Sequence, residues 1–245
     1  GRRIVDQEFT FKLYDANGNE VAEAKNDLNG QITFSGVELK GTGTYNYSIG
    51  EVDTQNGGVT FDLERKNVTI EVRRGADGFL QANVTSQPAV FNNSYTAQPA
   101  KVSLTAQKTL IGRSLKDREF TFELYKTTGE LVATGYNDTN GLVTFPDFAI
   151  DSPGLHTFKV KEVVENFGGV TYDQTEQTVT VDVVDNQQGQ LVATVTSATP
   201  SFTNNYAASP AKVTISARKT LDGRDLQAEE FEFVLTDQDG QEVGR

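Results

Sequence analysis

The strongest constraint on this chain is that it repeats itself. Gly1-Arg-Arg-Ile-Val-Asp-Gln-Glu-Phe-Thr-Phe returns as Gly112-Arg-Ser-Leu-Lys-Asp-Arg-Glu-Phe-Thr-Phe and again from Gly223, starts that lie 111 residues apart. No gap is needed: Phe91-Asn-Asn-Ser-Tyr95 falls on Phe202-Thr-Asn-Asn-Tyr206, and Gln98-Pro-Ala-Lys-Val102 on Ser209-Pro-Ala-Lys-Val213. A period this long marks an array of domains rather than a solenoid of short repeats. Lys101–Lys108 precedes the second glycine motif and Lys212–Lys219 the third, whereas nothing precedes the first. The expected organisation is therefore a module over 1–99 lacking its first strand, a complete module over 100–211, and the N-terminal strands of a third, truncated module over 212–245. The joints Ala97-Gln-Pro-Ala100 and Ala208-Ser-Pro-Ala211 are too short for flexible tethers, and proline stiffens them, so neighbouring modules of the same chain are expected to stack as a rod.

Within a module the local signal is β. Phe120–Tyr125, Gln177–Val183 and Gln190–Thr196 are short, rich in β-branched or aromatic residues, and bounded by turn residues such as Asn140-Gly141. No stretch sustains helical spacing. Eight or nine short strands in about 110 residues is the texture of a tandem, immunoglobulin-like β-sandwich, an all-β fold.

Composition removes several function classes. The chain has no Cys, so disulfides, thiolate metal sites and cysteine nucleophiles are excluded, and any covalent staple must use other side chains. It has no Met, no signal peptide and no membrane-length apolar run, and reads as an excerpt from a longer protein. A net charge of −12 argues against nucleic acid and anionic membrane surfaces as partners.

Alternation then exposes an anomaly. In Val102, Leu104, Ala106, Lys108, Leu110 every second residue is apolar except the lysine, and Val213, Ile215, Ala217, Lys219, Leu221 repeat the pattern. Phe158, Val160, Glu162, Val164 puts Glu162 in line with core residues, as Tyr47, Ile49, Glu51 does in the first module. Phe202, Asn204, Tyr206 repeats Phe91, Asn93, Tyr95, an asparagine between two inward aromatics. One Lys, one Glu and one Asn per module thus point inward. Two readings are open on the residues alone. One is a buried Lys–Glu ion pair with a hydrogen-bonded Asn nearby. The other is a spontaneous isopeptide bond: a desolvated amine becomes a nucleophile, and a carboxyl kept protonated by burial hydrogen-bonds the Asn carbonyl oxygen and shuttles protons while ammonia leaves.

The run Ala106-x-Lys-x-Leu-x-Gly-Arg113, then Glu119–Leu124, Phe158-x-Val-x-Glu162, Gly168-Gly-Val-Thr-Tyr-Asp173 and Phe202-x-Asn-x-Tyr206 resembles the streptococcal pilin isopeptide-linkage repeat of Gram-positive surface proteins and major pilins. The resemblance covers the whole chain. It implies a Lys108–Asn204 crosslink with Glu162 as catalytic acid, and a stalk segment of a cell-wall-attached adhesin or pilus subunit outside the cell. It implies no cofactor, no metal and no enzymatic turnover, with other pilin subunits, joined by sortase, and a host ligand as partners. Glu51 and Asn93 are a partial site without their lysine; Lys219 is a partial site without its acid or amide.

Other candidates are weaker. His156, the single histidine, corresponds to Tyr45, so no role shared by both modules needs it. Asp15-Ala-Asn-Gly-Asn19 and Asp237-Gln-Asp-Gly240 resemble calcium loops but lack the distal glutamate and read as hairpin turns. The Asn-x-Thr triplets at Asn67, Asn83 and Asn137 read as strand and turn residues. The rival function is a module whose exposed loops bind a host protein or glycan, which the fold class alone does not exclude.

Overall fold

A computed structural model describes residues 2–245, and no helix occurs among them. Its residues fall into two bodies, one running to Ala207 and one over Ala208–Arg245. The first body holds two modules. Module 1 contains β1 (Thr10–Tyr14), β2 (Glu20–Lys25), β3 (Gly43–Glu51), β4 (Val59–Thr60), β5 (Lys66–Arg74), β6 (Leu80–Val84) and β7 (Ser94–Tyr95). Module 2 contains β8 (Ala100–Val102), β9 (Thr105–Ile111), β10 (Thr121–Lys126), β11 (Leu131–Asn137), β12 (Leu142–Thr144), β13 (Phe148–Ile150), β14 (Gly154–Glu162), β15 (Val170–Thr171), β16 (Glu176–Asp185), β17 (Leu191–Val195) and β18 (Ser201–Tyr206).

In module 2 nine strands form one hydrogen-bonded sheet in the order β15-β18-β9-β12-β11-β10-β14-β16-β17. Phe122 on β10 and Phe202 on β18 have three strands between them in that order, yet their rings sit 5.3 Å apart. The sheet therefore curls back on itself, and the short β12 links what are otherwise the two layers of a sandwich. The alternating residues of β9, β10, β14, β16 and β18 fill the space between, with Ala106, Phe122, Leu124, Val160, Val181 and Phe202 essentially excluded from water. Among the described residues all strand-to-strand pairings in this module are antiparallel except β9 with β18, the first long strand against the last, which run parallel.

Module 1 repeats part of this plan as the sheet β2-β1-β3-β5-β6, with β4 paired to β7. Among the described residues no strand stands where β9 stands in module 2. The neighbours of that position lose order with it. Gln31–Thr33, the counterpart of β12, makes only an isolated bridge through Ile32, and β7 has two residues where β18 has six.

The joint between the two modules is built from named contacts. The Tyr95 hydroxyl donates to Asp185 Oδ1 at 2.7 Å and accepts from the Gly189 amide at 3.0 Å, while Gln98 and Gly189 to Leu191 exchange backbone hydrogen bonds. A Cβ added to Gly58 would lie 2.6 Å from the Gly189 Cα, so backbone-to-backbone approach there admits no side chain. The proline-stiffened joint expected from the sequence is accordingly also pinned from outside the linker.

The second body departs from the expected strands of a third module. It forms one hairpin, β19 (Leu235–Thr236) with β20 (Glu242–Gly244), and Lys212–Leu221 lies exposed outside any strand. The reason is partnership: β9 is held by β12 and β18, and no counterpart of either exists for Lys212–Leu221 among residues 223–245. The same hairpin explains the calcium-like loops. Asp237 Oδ1 accepts the Asp239 and Gln241 amides, and Asp15 Oδ1 accepts those of Asn17 and Asn19, which are turn contacts.

Candidate functional site

Lys108 is carried inward by the alternation of β9, between Ala106 and Leu110. Its position along the strand is fixed by a close turn: the Lys108 amide donates to the Gly141 carbonyl at 2.7 Å. Gly141 adopts φ +85° where an added Cβ would stand 2.0 Å from the Lys108 carbonyl oxygen. Only glycine satisfies both conditions. Glu162 ends β14 with its side chain in the core, and Asn204 lies centrally on β18, beside β9. Val164, which the alternation had grouped with them, is exposed because β14 stops at Glu162.

The three side chains meet in one dry pocket. Lys108 Nζ lies 2.8 Å from Glu162 Oε2, and Asn204 Nδ2 donates to Glu162 Oε1 at 2.7 Å. Lys108 and Glu162 have no solvent-accessible side-chain surface, and Asn204 is fully buried. Phe120 and Phe122 form the apolar wall, their ring centres 4.7 and 5.9 Å from Nζ. Burial pushes the Lys108 ammonium below its usual range, with the bond to Glu162 opposing, and burial pushes the Glu162 carboxyl up. Both shifts favour an uncharged amine beside an uncharged acid.

One expectation about the amide is corrected. The sequence reading had Glu162 bonded to the Asn204 carbonyl oxygen, but that oxygen accepts the Asp173 backbone amide at 2.7 Å. A backbone N–H can only donate, so Oδ1 must face Asp173 and Nδ2 must face Glu162. The acid therefore serves the nitrogen, and the backbone serves the oxygen. Asp173 is the residue that pattern reading missed. Its own carboxylate accepts from Thr175 and from the Thr203 amide on β18, which locks the turn carrying the donor; those bonds outweigh burial and hold it below its usual range. The signal was available, since Asp62 and Asp173 occupy the same repeat position, but a backbone donor leaves no side-chain pattern.

Module 1 builds the same half-site. Asn93 Nδ2 donates to Glu51 Oε1 at 2.7 Å, and Asn93 Oδ1 accepts the Asp62 amide at 2.9 Å. Glu51 Oε2, the counterpart of the oxygen that meets Lys108, is buried with no partner. Lys219 lies elsewhere, exposed, with Nζ donating to the Thr220 carbonyl and resting 4.9 Å from the Phe231 ring centre. Of the six site residues read from the sequence, three are brought together in module 2, two in module 1, and Lys219 is not joined to either group.

This geometry can be set beside known proteins. A family model described as FctA, the Spy0128-like isopeptide containing domain, matches residues 1–96 and again residues 104–207. The chain belongs to this family. Each match spans one of the two modules, in keeping with the tandem all-β architecture. Among solved structures, the chain is similar to the major pilin from Streptococcus pyogenes, at 16% identity over 81% of this chain and 90% of that one, TM-score 0.27. It is similar at 18% identity to the S. pyogenes major pilin protein T3.2, over 81% and 90%, TM-score 0.27. It is also similar to the Bacillus anthracis TIE protein, at 12% identity over 80% of this chain and 32% of that one, TM-score 0.34. Comparison with curated protein sequences finds no match.

Other features of this isopeptide-family chain have structural roles. His156 Nε2 bonds the Ser152 carbonyl, and Tyr45 in module 1 does the same job by donating its hydroxyl to the Gly41 carbonyl. A second buried polar position, Asn26 and Asn137, escaped the alternation reading. Each accepts the amide of the phenylalanine just ahead of the preceding strand, Phe9 before β1 or Phe120 before β10, at 2.7 Å, and donates to loop carbonyls. Among the described residues no group of three or more His, Asp or Glu side chains is placed to hold a metal.

Proposed function

We propose that this chain is a stalk segment of a cell-wall-anchored bacterial surface adhesin or pilus subunit, displayed outside the cell and stabilised by an autocatalytic Lys108–Asn204 isopeptide bond. The observation that carries the reading is the shared carboxyl: Lys108 and Asn204 each hydrogen-bond a different oxygen of Glu162 inside a pocket closed to water. The uncharged Lys108 Nζ attacks Asn204 Cγ, and negative charge gathering on Oδ1 meets the Asp173 N–H. Glu162 delivers its carboxyl proton to Nδ2, the Cγ–Nδ2 bond breaks and ammonia leaves, and the Glu162 carboxylate takes up the proton that Nζ sheds as the new amide forms. Atoms balance with no added reagent, and the site is consumed in one turnover, so the chain is not an enzyme. The partners that follow are neighbouring modules of its own chain and other subunits of the same surface structure.

The function is mechanical. Lys108 and Asn204 lie on parallel neighbouring strands near the two ends of module 2, so a bond between them carries tension past nearly all of the intervening chain. Pulling single molecules by their ends tests this. In the native chain the segment between Lys108 and Asn204 should not extend. In Glu162→Gln it should unravel, adding roughly 300 Å of contour at about 3.4 Å per residue. Equal extension in both would remove the mechanical role.

A further inference from the structure

An asparagine side chain can be attacked by the backbone nitrogen of the residue that follows it, most readily when that residue is glycine and no Cβ shields the nitrogen. The chain has four such pairs, Asn17-Gly18, Asn29-Gly30, Asn56-Gly57 and Asn140-Gly141. Three of them share one geometry. The amides of Gly18, Gly30 and Gly141 donate to the carbonyls of Asp15, Asp27 and Asp138 at 3.0, 3.0 and 3.1 Å, so the attacking nitrogen is tied into a turn. To react it must shed the proton that this bond retains, and the turn has to open first.

Asn56-Gly57 differs at both reacting groups. Among the described residues the Gly57 amide donates to nothing, because this turn is closed instead by the Val59 amide on the Asn56 carbonyl at 3.0 Å, with Gly58 at φ +78°. The Thr54 hydroxyl donates to Asn56 Oδ1 at 3.1 Å, which draws charge from Cγ and meets the charge that attack would place on the oxygen. Gly57 is exposed, so water and hydroxide reach it. The counterpart pair in module 2 is Phe167-Gly168, which has no amide side chain to react.

We propose that Asn56-Gly57 is a self-modification site whose reaction loosens the joint between modules 1 and 2. Gly57 N gives its proton to solvent hydroxide and attacks Asn56 Cγ. The N–Cγ bond forms, the Cγ–Nδ2 bond breaks, and ammonia leaves with a proton from water. A second water opens the succinimide ring, leaving aspartate or, where the α-carbonyl is attacked, isoaspartate. Isoaspartate routes the main chain through Cβ and Cγ, lengthens it by one atom, and turns the carbonyl that accepts Val59 into a free carboxylate. The joint has no slack for that change. A Cβ on Gly57 would stand 2.1 Å from the Gln188 carbonyl oxygen and one on Gly58 2.6 Å from Gly189 Cα, and the Gly58 carbonyl accepts the Thr96 amide at 2.9 Å, next to the linker. Extra backbone at Asn56 displaces these contacts, and because the reaction is irreversible the joint slackens with the age of the molecule.

The test is to hold the purified, folded chain at mildly alkaline pH, sample it over time, and map the digest for aspartate and isoaspartate at each of the four pairs. Asn56 should convert about tenfold or more faster than Asn17, Asn29 and Asn140, whose reaction waits on local opening. In the same chain kept unfolded in denaturant the four rates should converge. Thr54→Val should slow Asn56 alone, and Asn56→Gln, which needs a larger ring, should abolish the reaction there. Lys108→Ala should leave the rate at Asn56 unchanged, which separates this chemistry from the crosslink. Aged chains should be cut faster around Gln98 than fresh ones, and aged Asn56→Gln should not. Equal rates at the four pairs in the folded chain, or an Asn56 slower than the rest, would overturn the site. Full conversion at Asn56 with unchanged cleavage around Gln98 would overturn its effect on the joint.

Discussion

Modules 1 and 2 contain nearly the same acid–amide geometry in different surroundings, which makes them a natural experiment. The Asn-to-Glu distance is 2.7 Å in both, and the backbone donor to the amide oxygen stands at 2.9 Å in module 1 and 2.7 Å in module 2. Around that constant centre nearly everything else changes. Phe202, Val143 and Phe145 are excluded from water, whereas Phe91, Ile32 and Phe34 are half-buried. The comparison separates two jobs. Glu, Asn and the aspartate turn are positioned by β14 and β18, or by β3 and the segment leading to β7, without help from a lysine. The lysine strand supplies the amine and the apolar seal that dries the pocket.

The largest effects should break the symmetry at the lysine itself. Glu162→Gln is expected to remove the crosslink and lower the stability of module 2 by about 4 kcal/mol, the value for a staple enclosing roughly 100 residues. Lys108→Ala should cost at least as much, because it also strands a buried carboxyl. Glu51→Gln in module 1 should cost little in the uncrosslinked chain, and thermal unfolding followed separately for each module would show the contrast. Equal losses in both would mean that the half-site in module 1 already has the stabilising role assigned to the complete one.

Next in size are the paired core substitutions. Phe202→Ala removes a fully buried ring packed on Phe122 and should cost about 3–5 kcal/mol. Phe91→Ala, whose ring is half-buried, should cost clearly less, and denaturant unfolding of the two variants would measure the seal that β9 provides. At the joint, Tyr95→Phe loses the bonds to Asp185 and Gly189 and should weaken the contact between modules by about 1–2 kcal/mol. Faster proteolysis around Gln98 than in the parent chain would report it.

The smallest effect is a pH slope. Burial raises the Glu51 carboxyl, and Asn93 only partly offsets it. The folded state thus holds its proton more tightly than the unfolded state does. That contribution is complete below the unfolded carboxylate pKa and is lost as pH rises through the folded value. Module 1 should therefore lose stability as pH climbs out of the ordinary carboxylate range, and Glu51→Gln should flatten the slope. A melting temperature for module 1 that rises across that interval would contradict the assignment.

Much of this was legible in the sequence. A 111-residue period and two-residue alternation point to tandem β modules, and a lysine, a glutamate and an asparagine interrupting inward apolar rows give the site, since a polar residue on a buried face stands out against its neighbours. What alternation does not carry is backbone chemistry. The Asp173 amide, the Gly141 turn that fixes Lys108, and the Tyr95 hydroxyl that pins the joint depend on where turns bring the main chain in space. Lys212–Leu221 failed as a strand for a related reason: its pattern is right, but a strand needs partners, and pattern alone does not supply them.

The central claim is that Lys108 and Asn204 are covalently joined, and the intact mass of the denatured monomer tests it most directly, at a resolution that separates ammonia loss from deamidation. The account predicts a chain lighter by one ammonia, restored to full mass in Lys108→Ala and in Glu162→Gln. A native chain at full mass would contradict it and leave Lys108 and Glu162 as a buried ion pair.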